Sequence, residues 1–159
     1  MSFADPECHC EMISHSELGP IQSHETLARV IITPIHINRA TGQPSPAAFQ
    51  TVDLMTRGLS VLRRDHTDDA ELIQQGKILC KNNPERSMHG VLYGSAAAVR
   101  ALVDSVARRA FCLIDDEQPG QRTHATIMRS ADQDELEIKA LRGDLMDIFG
   151  QMVAPPADA

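Results

Sequence analysis

Five short segments of the chain are rich in β-branched and aliphatic residues, and polar, Gly or Pro residues bound each of them. The first segment has the sequence LARVIITPI, in which Pro34 marks a strand end or an edge position, because proline cannot donate to a β-ladder. The last two segments flank Pro119-Gly120, a turn signal that predicts an antiparallel hairpin. The pattern therefore predicts five strands, at residues 27–35, 59–63, 88–94, 111–115 and 124–130.

Apolar residues at helical spacing follow or precede these strands and predict four helices. Asp68 with Glu71 three positions later has the pattern of a capping box, and Ser95 is a good N-cap for the segment AAAVRALVDSVARRA. Alanine, leucine and valine recur at four-residue spacing in that segment, which predicts helix as far as residue 110. The predicted helices cover residues 46–57, 68–77, 96–110 and 132–152.

This order of elements predicts an α+β fold, a single compact domain with a mixed sheet of about five short strands and about four helices. A small parallel α/β sheet is the alternative. Residues 1–26 lack sustained periodicity and are predicted to form an irregular N-terminal leader. The single domain then covers 27–152, and 153–159 is predicted to be a flexible tail.

The charge and composition exclude some classes of function and location. The formal net charge is −7, whereas a nucleic-acid-binding protein normally concentrates a surplus of Lys and Arg. No basic segment followed by an apolar stretch opens the chain, and no apolar run approaches the ~20 residues that span a bilayer. We therefore expect a cytoplasmic protein that binds neither nucleic acid nor membrane.

The four cysteines do not suggest a disulfide framework. Cys8 and Cys10 are too close to pair with each other, and Cys80 and Cys112 are predicted to be packing residues, with Cys112 inert in an apolar strand. Thiolate and imidazole ligands near the N-terminus would suit zinc, but C-x-C is not the usual spacing. A solvated leader with surface histidines is the simpler interpretation, and we assign no metal ligands. The residues that leave the metal question open are Cys8, His9, Cys10, His15 and His24.

Two H-x-T motifs, His24-Glu25-Thr26 and His124-Ala125-Thr126, resemble the paired motifs of the two-histidine phosphoesterases. In that chemistry one imidazole accepts a proton from the attacking hydroxyl or water, and the other protonates the leaving oxygen. Neither histidine follows an apolar residue, as Ser23 and Thr123 precede them, and His24 lies in the irregular leader. His124, which begins a strand after the Pro-Gly turn, is the stronger candidate.

Two arginines are placed where a strand could present them to an anion. Arg29 interrupts an otherwise apolar strand, and Arg63 lies at the end of the LSVLR strand, where it could fork onto a phosphate or carboxylate. Together with Ser60 and His124 they would form a catalytic set, on the condition that all four side chains face one pocket.

The segments RGLSVLR and DDEQPGQRTHATI resemble a group of small bacterial proteins of unassigned function, which share a G-L-S-V strand and a late H-A-x-I strand. Residues 58–61 match the first element, and His124, Ala125 and Ile127 match the second. The resemblance covers roughly residues 28 to 130. It implies one domain and no particular activity.

Two functions remain open at this point. The first is a non-enzymatic binding or accessory module in a bacterial protein assembly, with a protein partner or a second copy of the chain and no cofactor. The second is a small enzyme acting on a nucleotide, NAD or a phosphoester. In that enzyme His124 would be the acid/base, and Arg29 or Arg63 would clamp a small anionic ligand.

Overall fold

The computed structural model describes residues 8–157, and the first seven residues of the predicted leader and the last two of the tail lie outside them. Five strands and four α-helices lie within the described part of the chain. The strands are β1 (Thr26–Thr33), β2 (Leu59–Arg63), β3 (Ser87–Ser95), β4 (Phe111–Asp115) and β5 (His124–Arg129). The helices are α1 (Thr51–Met55), α2 (Asp69–Cys80), α3 (Ala96–Ala101) and α4 (Glu135–Phe149), and short 3₁₀ turns occur at His9–Met12, Pro46–Phe49 and Arg64–His66.

The strands form one sheet in the order β3-β1-β2-β5-β4, and each pair of neighbours is antiparallel. The α+β prediction is confirmed, but the sheet is wholly antiparallel rather than mixed, and the parallel α/β alternative is wrong. A parallel pair needs a crossover that returns the chain to the end of the sheet where the first strand began. The connections from β1 to β2 and from β4 to β5, which join neighbouring strands, do not return the chain in this way, so each second strand runs back along the first.

The two faces of the sheet are covered unequally. The larger core lies under α1, α3 and α4 and includes Leu59, Val61, Ala125 and Ile127 from the two central strands. Side chains alternate along a strand, so Ser60 and Thr126, which lie between these core residues, point to the opposite face of the sheet. Helix α2 covers that face only in part. This uncovered part of the α2 face is where the polar residues of β2 and β5 lie.

The helix predicted to run to residue 110 ends at Ala101, so its second half was predicted wrongly. The Asp104 carboxylate accepts hydrogen bonds from the backbone N–H groups of Val106 and Arg108 and from the Arg108 guanidinium. Ala107 takes a left-handed conformation with φ of 63°, and the Ala110 N–H then donates to the Leu102 carbonyl. Local bonding by Asp104 therefore outweighs the helical spacing of the apolar residues.

The Pro46 helix is also shorter than predicted, because the chain forms a 3₁₀ turn as far as Phe49 and resumes as α1 after an extended Gln50. The capping box of Asp68 and Glu71 at the start of α2 is confirmed. The final helix begins after Asp134, which accepts a hydrogen bond from the Glu137 N–H.

The leader is ordered by its contacts with β4. Cys8 forms a disulfide with Cys112 across 104 positions of sequence, so the prediction that Cys112 is an inert packing residue is wrong. Glu11 accepts hydrogen bonds from the Leu113 N–H and from the guanidinium groups of Arg100 and Arg109. The leader therefore lies along the outer side of β4.

At the other side of the sheet, the segment after α4 follows β3. Val153 and Val91 exchange two backbone hydrogen bonds of 2.9 Å each, and Met152 packs against Gly90. Within residues 8–157, no helix is both long enough and apolar enough to cross a bilayer.

Candidate functional site

A polar cleft opens on the α2 face of the sheet. It has a volume of about 500 Å³, within the usual range of small-molecule sites. Three of the four residues predicted to share a pocket line it: Arg29, Ser60 and His124. The lining also includes charged, polar and apolar side chains, namely Arg57, Arg86, Asp53, Asp116, His36, Gln75, Thr126, Ile35, Ile78 and Leu79.

Arg29 lies where β1 and β2 separate. The two strands pair only at Leu27 with Arg63 and at Ala28 with Leu62, so the next positions of β2 lack a β1 partner. The Arg29 guanidinium fills the gap, donating from Nε to the Ala48 carbonyl at 3.0 Å and from Nη1 to the Ser60 carbonyl at 2.8 Å. A guanidinium thus replaces a backbone donor beside Ser60, and it lies at the wall of the cleft.

Ser60 and His124 form a hydrogen-bonded pair in the cleft. They lie on neighbouring strands, since β2 and β5 pair Ser60 with Thr126 and Leu62 with His124. The Ser60 Oγ lies 3.0 Å from His124 Nε2, and His124 Nδ1 lies 2.8 Å from the Asp116 carbonyl oxygen. The two short sequence motifs of the bacterial resemblance therefore lie side by side, although the resemblance itself stays a prediction.

The bonds of His124 define its proton positions. A carbonyl oxygen can only accept, so His124 Nδ1 carries a proton and donates it to the Asp116 carbonyl. In the neutral ring Nε2 then has a lone pair and accepts the Ser60 hydroxyl proton. The Asp116 carboxylate is also 3.5 Å from Nδ1, where it favours the same tautomer.

His36 is a second buried histidine of the cleft, and it is held neutral. Its Nδ1 accepts a hydrogen bond of 2.9 Å from the Ile32 N–H, so the proton of the neutral ring is on Nε2. Burial, together with the charges of Arg29 and Arg86, lowers the pKa of His36 from 6.5 to about 4. The cleft therefore holds an uncharged imidazole at neutral pH.

This shift predicts an acid-sensitive contribution to stability. Unfolded His36 takes up a proton near pH 6.5 and the folded ring only near pH 4, so the unfolding free energy falls as the pH is lowered between these values. We expect His36→Asn, whose amide oxygen can replace Nδ1 as acceptor, to reduce this pH-dependent loss by about 3 kcal/mol. Urea unfolding at a series of pH values measures the difference. If the unfolding free energies of the variant and the wild type fell by the same amount with decreasing pH, the prediction would be contradicted.

Arg86 and Gln75 have polar atoms without a partner at the wall of the cleft. The Nε of Arg86 and the Oε1 of Gln75 are buried and make no hydrogen bond to any described residue. Gln75 is 94% buried, since its relative exposure is 6%. Both residues line the cleft, and a buried donor and a buried acceptor without partners are costly for the folded protein.

Gly58 brings β2 close to β5 at the base of the cleft. Its φ is +89°, and a Cβ at this position would lie 2.6 Å from the Cβ of Thr126. We expect Gly58→Ala to lower the unfolding free energy by about 1–3 kcal/mol. Gly143 is the matched control, because a Cβ there meets no atom within 4 Å and the residue lies inside α4, so Gly143→Ala should raise stability by about 0.4–1 kcal/mol. Urea unfolding that gives both variants the same sign would contradict this.

Arg63, the fourth predicted residue, lies outside the cleft, so its prediction as an anion clamp is wrong. The side chain is fully buried and forks onto Glu25 with bonds of 2.9 and 2.8 Å, while Nη1 reaches Asp115 at 3.1 Å. The remaining N–H groups donate to the carbonyls of Gly19 and Pro20. The leader supplies three of these partners, which sequence spacing alone could not show.

The structure does not support the other hypotheses about histidine and cysteine residues. His24 is exposed and is not among the cleft residues, so the paired H-x-T interpretation loses its second histidine. Among residues 8–157, no three His, Cys, Asp or Glu side chains are grouped so that they could hold a metal ion, and the Cys8 sulfur is bonded to Cys112.

The sequence pointed to neither Arg86 nor Gln75, because a loop arginine and a helix glutamine carry no motif.

No family model, curated protein or solved structure matches the chain. The function of the cleft therefore has to be inferred from its own side chains.

Proposed function

We propose that the protein binds a small organic anion in the cleft beside His124. The observation that carries this proposal is the Arg86 guanidinium, which lines the cleft and makes no ion pair within the described chain. A bound carboxylate or phosphate would supply the missing counter-charge.

Three other arginines that are buried or partly buried support the proposal by contrast, because each pairs with a carboxylate. Arg63 pairs with Glu25 and Asp115, Arg109 with Glu11, and Arg108 with Asp104. Arg29, like Arg86, has no carboxylate within ion-pair distance among the described residues, and its donors meet only backbone carbonyls. Burial lowers the pKa of Arg29 to about 10 against the opposing charge of Asp53. Its positive charge is therefore poorly compensated.

The lining of the cleft restricts the ligand further. Arg29 and Arg86 favour an anionic group, and an apolar wall of Ile35, Ile78 and Leu79 favours a hydrocarbon part. The three arginines of the lining outnumber its two aspartates, although the whole chain is acidic. These features fit a small organic carboxylate or phosphate.

Binding can be tested by thermal shift and calorimetry with the full chain. The probes are citrate, a hydroxybenzoate, AMP, NAD and inorganic phosphate, each at matched ionic strength. We expect at least one organic anion to raise the melting temperature, and Arg86→Met to weaken its binding about 10–100-fold, because a charge-assisted hydrogen bond contributes about 1.5–3 kcal/mol.

Arg39→Met is the matched control, since Arg39 is exposed in the loop after β1 and lies outside the cleft. It should bind like the wild type. Equal weakening by both substitutions would indicate general charge attraction and would contradict the proposal, as would the failure of every probe to bind.

The disulfide bears on where the protein works. Disulfides persist in oxidising compartments and are rare in the cytosol, so the Cys8–Cys112 bond counts against the predicted cytoplasmic location. We propose an oxidising compartment instead. The bacterial origin and a role in a protein assembly or homo-oligomer stay predictions.

A further inference from the structure

We propose that Ser60 is a nucleophile and that the cleft hydrolyses small carboxylic esters that carry an anionic group. This inference rests on the proposed function for the recognition of the anion. It adds a reaction, which anion binding alone does not imply.

The geometry for proton transfer is present before any substrate binds. Ser60 Oγ lies 3.0 Å from the unprotonated Nε2 of His124, which is the distance and the tautomer that general-base activation of a hydroxyl requires. The Asp116 carbonyl fixes the ring through Nδ1 at 2.8 Å, and its carboxylate lies 3.5 Å from the same nitrogen. A nucleophile, a base and a group that orients the base therefore occur in one connected series.

The surroundings of the pair suit acyl transfer. Ser60 is half-buried and His124 is buried, yet both line the open cleft, so substrate can reach the hydroxyl while most of the ring is shielded from water. Arg29 donates to the Ser60 carbonyl, which places a positive charge beside the nucleophile. Its Nη2 makes no hydrogen bond to any residue between 8 and 157, and in the proposed reaction this group would donate to the oxyanion.

The reaction proceeds in two balanced steps. His124 Nε2 takes the Ser60 proton as Oγ bonds to the ester carbonyl carbon, and the carbon–alkoxide bond then breaks, with the leaving oxygen taking that proton from Nε2. Water next gives a proton to Nε2 and bonds to the acyl carbon, after which the Ser60 Oγ leaves and recovers the proton. The net change is ester plus water to carboxylic acid plus alcohol.

The substrate class follows from the cleft. The volume of about 500 Å³ suits a molecule of drug-like size or smaller. Arg86 would hold a carboxylate or phosphate on the ester, and the wall formed by Ile78 and Leu79 would contact its hydrocarbon part.

A pair of chromogenic acetates tests the inference with the full chain. 4-Acetoxy-3-nitrobenzoate carries a carboxylate, and 2-nitrophenyl acetate is the same ester without it. We expect faster hydrolysis of the first, a loss of at least about 100-fold in kcat for Ser60→Ala and for His124→Gln, and an increase in KM for Arg86→Met with little change in kcat. A fluorophosphonate should label Ser60, identified by peptide mass spectrometry, and melting temperatures close to that of the wild type would show that the variants are folded.

The outcomes separate the two proposals. An anion that binds while Ser60→Ala hydrolyses as fast as the wild type, or while no ester is hydrolysed above buffer, overturns the hydrolase and leaves the binding proposal standing. Hydrolysis that needs Ser60 but shows neither a preference for the carboxylated ester nor a dependence on Arg86 overturns the anion site and the substrate class. Ser60→Thr, which keeps a hydroxyl, should retain more activity than Ser60→Ala.

Discussion

Replacing Arg63 with methionine should lower the unfolding free energy by about 3–5 kcal/mol, the typical loss when one partner of a buried ion pair is removed. Both carboxylates that face Arg63 are buried with it, at side-chain exposures of 1% for Glu25 and 0% for Asp115. The substitution would leave two negative charges in an interior from which water is excluded. Urea unfolding at neutral pH measures the loss.

Arg57→Met is the control, because the Arg57 side chain is 79% exposed in its ion pair with Asp53 and such pairs contribute about 0–1 kcal/mol. The pH dependence of the unfolding free energy gives a second, independent test of the ion-pair network. Burial raises the pKa of Glu25, but the hydrogen bonds from Arg63 and the Gln22 N–H, with the Arg63 charge, outweigh it and hold the pKa below 4.5. In the wild type this contribution is present above pH 4.5 and is lost as the pH falls through the folded pKa.

In Arg63→Met the pKa of Glu25 would rise, since burial remains and the hydrogen bonds and charge of Arg63 are lost. The difference in stability between wild type and variant should therefore shrink as the pH is lowered toward 4.5. The titration of His36 is common to both proteins and cancels in this difference. A difference that stays constant with pH, or a loss no larger than that of Arg57→Met, would rule out this account of the network.

Replacing Cys8 with serine should lower the unfolding free energy by about 2–4 kcal/mol, the usual contribution of a disulfide that closes a long loop. The loop here spans 104 positions, so the bond removes much of the freedom of the unfolded chain. Cys10→Ser is the control in the same segment, because Cys10 is outside the disulfide, and its stability should be near that of the wild type.

Counting thiols checks the premise of this prediction. Alkylation of the denatured chain without reductant should modify Cys10 and Cys80 only, and alkylation after reduction should modify all four cysteines. Equal unfolding free energies for wild type and Cys8→Ser, in a protein that shows two alkylated residues, would contradict the predicted stabilisation.

Much of the architecture follows from local pattern. The strand of residues 59–63 and the hairpin of β4 and β5 lie as predicted, because apolar runs bounded by Gly and Pro leave few alternatives. The helix at Ala96 shows the limit of local pattern. Its cap was correct, whereas its length depended on Asp104, which bonds to backbone groups instead of pointing to solvent.

The candidate site, too, could be predicted from the sequence only in part. Ser60 and His124 could be predicted to approach each other only if β2 and β5 are neighbours, which hydrophobic periodicity does not reveal. Arg29 and Arg63 both stand out in the sequence as arginines in apolar strands. The leader decides between them, because Glu25 neutralises Arg63, while the gap beside β2 leaves Arg29 with carbonyl partners only.

The positions of the two terminal segments have a consequence for the behaviour of the protein at high concentration. An edge strand with unpaired backbone groups is a template on which another chain can add a strand, and this is a common route to aggregation. The Cys8 segment follows the outer side of β4, where Glu11 binds the Leu113 N–H, and Val153 pairs with Val91 on β3. The protein thereby protects both edges of its sheet with its own chain, and the disulfide makes one of these protections covalent.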